Sequence, residues 1–170
     1  MSSVSSSVTN VVVAGLGGQG VIKASDIIAD AVFRAGFDVK KSELHGMSQR
    51  GGSVSSEVRF GARVFSPMVP AGEADFLVVV AQDQVDNNRH VLRPGGLLLA
   101  PDLIDAAQLA NPRCLNVALV GALSAWLPLD PAVWAAALAA AFPAKHLAIN
   151  QAAFALGRAA GTARRGVPAA

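Results

Sequence analysis

The chain has 170 residues, a net charge of +2, and a composition that is 52% hydrophobic and 15% charged. That length suits one domain whose core is large enough to hold without disulfides or metals. Scattered basic residues and only 5% aromatics argue against nucleic acid, and a single cysteine excludes an internal disulfide and a self-contained four-thiolate cluster.

Taken in chain order, residues 1–9 are serine-rich and read as a disordered tail, without the basic and apolar regions of a signal peptide. Residues 11–14 are continuous and β-branched, a buried strand ended by glycine. After the loop 15–20, Ala24, Ile27, Ile28 and Val32 recur at helical spacing, which predicts a helix over 21–35 with Gly36 beyond its end. A second strand is predicted at 37–42. Residues 54–60 alternate as a strand with one wetter face. Gly61-Ala62 would turn that strand back into 63–65 as an antiparallel hairpin.

Residues 76–81 read as another buried strand, 83–92 as a short polar helix, 93–96 as a turn, and 97–100 as a strand stopped by Pro101. Residues 102–109 read as helical, 114–118 as a last short strand and 120–126 as a helix ended by Pro128. Asp130-Pro131 is an N-cap and first-turn pair for a helix over 132–141. Pro143 breaks it, and a final helix covers 146–160. Residues 161–170 read as a flexible tail in which Arg164-Arg165 are solvated. No apolar run reaches about 18 residues, so no membrane span is expected and the cytoplasm is the expected compartment.

Strands alternating with helices define an α/β class. The expected architecture is one Rossmann-like three-layer domain over residues 10–160. Its sheet should be twisted and mainly parallel, with an antiparallel hairpin. Such sheets bind ligands or partners beyond the carboxyl ends of their strands. Both glycine loops follow strands and should emerge at that edge.

The first loop, Gly15-x-Gly17-x-x-Gly20, matches the dinucleotide fingerprint and sits between a strand and a helix. Its glycines permit close approach of backbone to phosphate at a helix N-terminus. The fingerprint also asks for an acid about 20 residues on. Glu43 is the one candidate, a few residues late. The plainer alternative is that these glycines only let strand and helix pack closely.

The second loop, HGMSQRGGS at 45–53, crowds polar groups and glycines together. His45 could move protons near neutral pH. Arg50 is a fork for carboxylate or phosphate. Gly51-Gly52 can expose consecutive N–H groups to an anion. Here too a structural alternative stands: the polar side chains could merely cap backbone groups between two strands. His90 and His146 lie in ordinary helical stretches and read as surface residues. No metal-ligand spacing and no G-x-S-x-G elbow occurs, so no metal site and no catalytic residue is assigned.

The two loops together, in this order and about 25 residues apart, resemble the gamma-type subunit of 2-oxoacid:acceptor oxidoreductases, the pyruvate and indolepyruvate ferredoxin enzymes. Within that family the pattern is nearest to the small subunit of the indolepyruvate enzymes. The matching residues are GLGGQG, Ser42-Glu43, His45 to Ser53, and Arg59 with Gly61. Further matches are Ser66-Pro67, Asp75, Pro94-Gly95-Gly96, Asn116 with Gly121, and Asn150 with Gly157. The segment between residues 100 and 114 is shorter than the family pattern.

The resemblance implies an accessory subunit of an enzyme that oxidatively decarboxylates a 2-oxoacid, such as an arylpyruvate, to acyl-coenzyme A. It implies that thiamine diphosphate with Mg2+ and 4Fe-4S clusters reside on a larger partner subunit. Electrons would leave through that partner to ferredoxin or a similar acceptor. This chain has no G-D-G upstream of Asn87-Asn88 and one cysteine, so none of those groups is expected on it alone. The resemblance makes Gly15, Gly17, Gly18, Gln19 and Gly20 one half of a docking or ligand-orienting platform. His45, Gly46, Met47, Gln49, Arg50, Gly51 and Gly52 make the other half, with coenzyme A as the co-substrate in question. The competing expectation is a free-standing NAD(P)-binding protein of Rossmann type.

Overall fold

The computed structural model describes residues 7–46 and 51–166. Strand β1 (Thr9–Leu16) is the centre of the sheet, and its Val11 to Ala14 are almost wholly buried. It pairs in parallel with β4 (Ala74–Val79), which pairs in parallel with β5 (Leu92–Leu99). On its other side β1 pairs antiparallel with β3 (Ser53–Gly61), and β3 pairs antiparallel with β2 (Asp38–His45). The order is β2-β3-β1-β4-β5. Four strands therefore point the same way and β3 alone is reversed. The antiparallel hairpin is β2–β3.

Alternate β1 residues face opposite layers, as a pleated strand requires. Val11 and Val13 join the main core with α1 (Val21–Arg34), α3 (Leu115–Ser124), α4 (Pro131–Ala141) and α5 (Ala144–Arg165). Val12 and Ala14 join a smaller core under the β4–β5 crossover, where α2 (Val85–Asn88) contributes Val85. Asp130 caps α4 by accepting from the Ala132 N–H at 2.8 Å, as the Asp-Pro pair predicts.

Helices α3 and α5 touch backbone to backbone. A Cβ on Gly157 would overlap the Ala118 carbonyl, and one on Gly121 the Phe154 carbonyl. A Cβ on Gly161 would meet Ala122 in the same way. These glycines are therefore packing residues.

Several expectations are corrected. Residues 114–118 are not a strand: Pro112–Cys114 form a 3-10 turn that leads into α3. Residues 116–124 are buried all round, so the apolar run carries no helical periodicity and imitates a buried strand. Residues 63–65 form no return strand, because side chains from β2 and β3 satisfy that backbone instead: Asp38 accepts from the Val64 N–H and Arg59 donates to the Ser66 carbonyl. The turn predicted at 93–96 lies inside β5 as a register irregularity opposite Asp75. Residues 102–109 contain two 3-10 turns, Pro101–Leu103 and Ala106–Gln108, rather than one helix.

The flexible tail predicted from 161 is helical through Arg165. Arg164 donates to the Leu98 carbonyl at 2.9 Å and Arg165 to the Ala125 carbonyl at 2.6 Å, so both fasten the helix. Residues 167–170, and 1–6 of the other tail, lie outside the described residues; Thr9 belongs to β1. No helix among the described residues is long and apolar enough to cross a membrane.

Candidate ligand and docking site at the carboxyl edge

β1 ends at Leu16, and the chain turns over Gly17 and Gly18 before α1 begins. The Gln19 N–H donates to the Leu16 carbonyl at 3.2 Å, and the Leu16 N–H donates to the Gln19 side-chain oxygen at 2.8 Å. Gln19 thus locks the turn with its own side chain. Gly18 and Gly20 take φ of 86° and 79°, left-handed conformations open to glycine. At Gly20 a Cβ would also collide with the Asn116 amide, which donates to the Gly20 carbonyl at 3.1 Å.

The first intrahelical bond of α1 runs from the Ala24 N–H to the Gly20 carbonyl, at 3.0 Å. The N–H groups of Val21, Ile22 and Lys23 precede it, no side chain caps them, and the first turn holds no acid. Such an end carries partial positive charge and suits an anion.

The two glycine loops meet. The Gly17 N–H donates to the Gly52 carbonyl at 2.9 Å, and the Gly46 N–H donates to the Ser53 carbonyl at 2.7 Å. A Cβ on Gly17 would face the Gly51 N–H at 3.4 Å. β1 and β2 both end at this edge, so the sequence placed the loops together correctly. Of the predicted platform, Met47, Gln49 and Arg50 lie outside the described residues.

Beside the joined loops lies an open cleft of about 480 Å³ lined by Gly18, Gln19, Gly20, Val80, Arg113 and Asn116 among others. It sits beyond the ends of β1 and β4, where the chain reverses its direction of travel across the sheet. Asn111 and Pro112 open the second helical segment there: the Asn111 side chain accepts from the Arg113 N–H at 2.9 Å and Pro112 takes the first-turn position. Reasoning from sequence missed Arg113, and it named Asn116 only as part of the family pattern, not as a site residue. The Asn-Pro pair was the available signal, since it marks a helix start. On the far side of the 15–20 loop, His45 lines a second depression of about 440 Å³ with Gly17, Gly20 and Val54.

Glu43 is committed elsewhere. Its carboxylate takes the Lys41 ammonium at 2.6 Å, and that hydrogen bond holds its pKa below the ordinary value. Burial pulls the Lys41 ammonium down, but its bonds to Glu43 and Asp26 outweigh burial and leave it raised. β3 also separates β2 from β1, so Glu43 ends a strand two places away from the phosphate-type loop, about 9.6 Å across the sheet rather than 4.8 Å. Cys114 is buried and its thiol is pushed up by that burial. Among the described residues no three His, Cys, Asp or Glu side chains gather as a cation site.

Fold and site together define a Rossmann-like α/β domain with an open, glycine-lined cleft at its switch point. The chain belongs to the pyruvate ferredoxin/flavodoxin oxidoreductase family, which matches residues 10–160. It is 45% identical over 91 residues to the indolepyruvate oxidoreductase subunit IorB of Thermococcus kodakarensis, across 52% of this chain and 44% of that relative. The chain thus aligns with less than half the length of this relative. It is 28% identical over 136 residues to the 2-oxoglutarate synthase subunit KorC of Archaeoglobus fulgidus, across 72% of each.

Among solved structures, it resembles the gamma subunit of a keto/oxoacid ferredoxin oxidoreductase from Geobacter sulfurreducens. There the TM-score is 0.77 at 22% identity, covering 92% of this chain and 98% of that one. It also resembles part of the 2-oxoglutarate:ferredoxin oxidoreductase of Magnetococcus marinus, solved with 2-oxoglutarate, coenzyme A and succinyl-CoA bound. That TM-score is 0.76 at 23% identity, covering 92% of this chain and 31% of the other. At these identities the two structures establish a shared fold.

Proposed function

We propose that this chain is the accessory, gamma-type subunit of a 2-oxoacid:acceptor oxidoreductase acting on indolepyruvate or another aryl 2-oxoacid. Thiamine diphosphate, Mg2+ and 4Fe-4S clusters belong to a larger partner subunit, and electrons pass from it to ferredoxin or a similar acceptor. The observation that carries this reading is the family match over residues 10–160 in a chain with a single cysteine. Such a chain cannot ligate the clusters, so it completes a site that the partner holds. Its compartment is the cytoplasm, where clusters and a free thiol persist.

The cleft between the 15–20 loop and Arg113 supplies one guanidinium beside Gly18, Gln19 and Gly20, and the uncapped first-turn residues Val21 and Ile22 line the adjoining depression with His45. That chemistry fits a phosphate or pyrophosphate, and coenzyme A is the phosphate-bearing co-substrate of this reaction class. Gly17, Gly18 and Gly20 keep side chains out of the approach. Gln19 holds the turn, and Gly46, Gly51 and Gly52 brace it from the second loop. His45, Met47, Gln49 and Arg50 orient the ligand or the partner. None of them is a catalyst.

The purified chain should show no visible chromophore and no 2-oxoacid-dependent dye reduction, and co-expression with the cluster-bearing subunit should restore both. Full activity of that subunit without this chain would overturn the reading. The nucleotide-binding alternative is disfavoured by Glu43, which is bound to Lys41 and set two strands from the loop. Micromolar binding of NAD(P)H by the isolated chain in calorimetry would revive it.

A further inference from the structure

Three of the four large hydrophobic side chains that stand exposed among the described residues share one margin of the sheet: Phe65 at 85%, Met68 at 58% and Leu44 at 48% exposure. Their backbone is fastened. The Val64 N–H donates to the Asp38 carboxylate at 2.7 Å, and Arg59 donates to the Ser66 carbonyl at 2.8 Å. The Ser42 hydroxyl donates to the Pro67 carbonyl at 3.3 Å, and the Val69 N–H donates to the buried Glu57 carboxylate at 2.7 Å. These anchors lay residues 64–69 along the face of the β2–β3 hairpin. Leu44 stands two residues beyond Ser42 on β2, and so on that same face.

Single exposed apolar residues need no account, but three along one margin do. A segment pinned at four points presents Phe65 and Met68 already ordered, which lowers the entropy cost of docking. The border is basic. Arg63 lies 5.4 Å over the Phe65 ring, and Lys40, on the same face with its side chain 43% exposed, stands 3.6 Å from the Asp38 carboxylate. The nearby carboxylates Asp38 and Glu57 are engaged by the backbone they anchor.

We propose that Phe65, Met68 and Leu44 form the contact by which this chain seats on its large partner subunit, entering an apolar depression there that is bordered by carboxylates. The proposal rests on the accessory-subunit reading. A second copy of this chain is the poorer occupant, because a two-fold contact would set Lys40 and Arg63 against themselves.

Binding of the separately purified subunits, followed by biolayer interferometry at two salt concentrations, tests it. Phe65→Ala and Met68→Ala should each weaken binding about tenfold or more, as hot-spot truncations do. Phe33→Ala, the exposed phenylalanine elsewhere, should leave it unchanged. Wild-type binding should weaken with salt. Unchanged melting temperatures would show that both patch variants stay folded, as their exposure predicts.

Retained affinity in both patch variants while wild-type binds would overturn this contact and leave the accessory-subunit reading standing. Failure of the wild-type chain to bind at all would overturn both. Sedimentation should find the isolated chain monomeric; a dimer that Phe65→Ala dissociates would assign the surface to a second copy and overturn the proposal.

Discussion

Glycine does opposite work in two regions of this molecule. In the α3–α5 seam, the missing Cβ of Gly121, Gly157 and Gly161 is replaced by backbone of the facing helix. At Gly18 in the carboxyl-edge loop, the missing Cβ points into open space, with nothing within 4 Å. The seam uses glycine to close a gap between helices. Gly18 leaves one open at the sheet's switch point, while Gly20 in the same loop packs against Asn116. Density of glycine alone therefore does not mark a site; what a Cβ would meet does.

Substitutions can break this contrast. Gly157→Ala should have the largest effect: overpacking against the Ala118 carbonyl should cost about 3 kcal/mol and lower the melting temperature by about 6–12 °C. An unchanged melt would mean the seam relaxes freely. Asn116→Ala joins the two regions, since α3 reaches the loop through it. Losing its bond to the Gly20 carbonyl should cost about 1–2 kcal/mol in urea unfolding. Gly18→Ala should cost about 1 kcal/mol, from left-handed backbone strain alone. If Gly18→Ala matches Gly157→Ala in cost, the contrast fails.

Arg113→Ala should sharpen it from the functional side. The side chain lines the cleft, so stability should change by less than about 0.5 kcal/mol. In the reconstituted complex the KM for coenzyme A should rise about tenfold with kcat little changed, the sign of lost uniform binding. The smallest effect belongs to Asp38. The Val64 N–H, above all, holds its carboxyl below the ordinary range. A group whose folded pKa is depressed stabilises fully above its unfolded pKa, and that contribution is lost as pH falls through the lowered folded value. Wild type should therefore exceed Asp38→Asn slightly in stability at neutral pH, and the difference should vanish in acid when both are followed by chemical unfolding.

The carboxyl-edge site was half legible. GLGGQG between a strand and a helix, and HGMSQRGGS after the next strand, place both loops on one edge, and the Gly17–Gly52 hydrogen bond joins them there. Asn116 stood out only as part of the family pattern, because NVALVGALS, residues 116–124, is buried on every side, and Arg113 lies before it in the Pro112–Cys114 turn. A helix without a wet face shows no 3.6-residue rhythm, and its β-branched residues read as strand. Arg164-Arg165 escaped for the converse reason: a basic pair among small residues looks solvated until the carbonyls it caps are known.

By itself the sequence determined the elements whose signals are local. These include the strand before Gly15, the helix of Ile27 and Ile28, the Asp130 cap, and the pairing of glycine loops that names the family. Only the tertiary structure decided that β3 inserts antiparallel between β1 and β2, which moves Glu43 away from the phosphate-type loop. It alone decided that the 64–69 segment lies on the sheet and that α3 begins at the cleft. The physical reason is range. Caps, turns and periodicity act within a few residues, whereas strand order and side-chain-to-backbone anchoring depend on partners such as Asp38 and Val64, far apart in the chain and adjacent only once the sheet has formed.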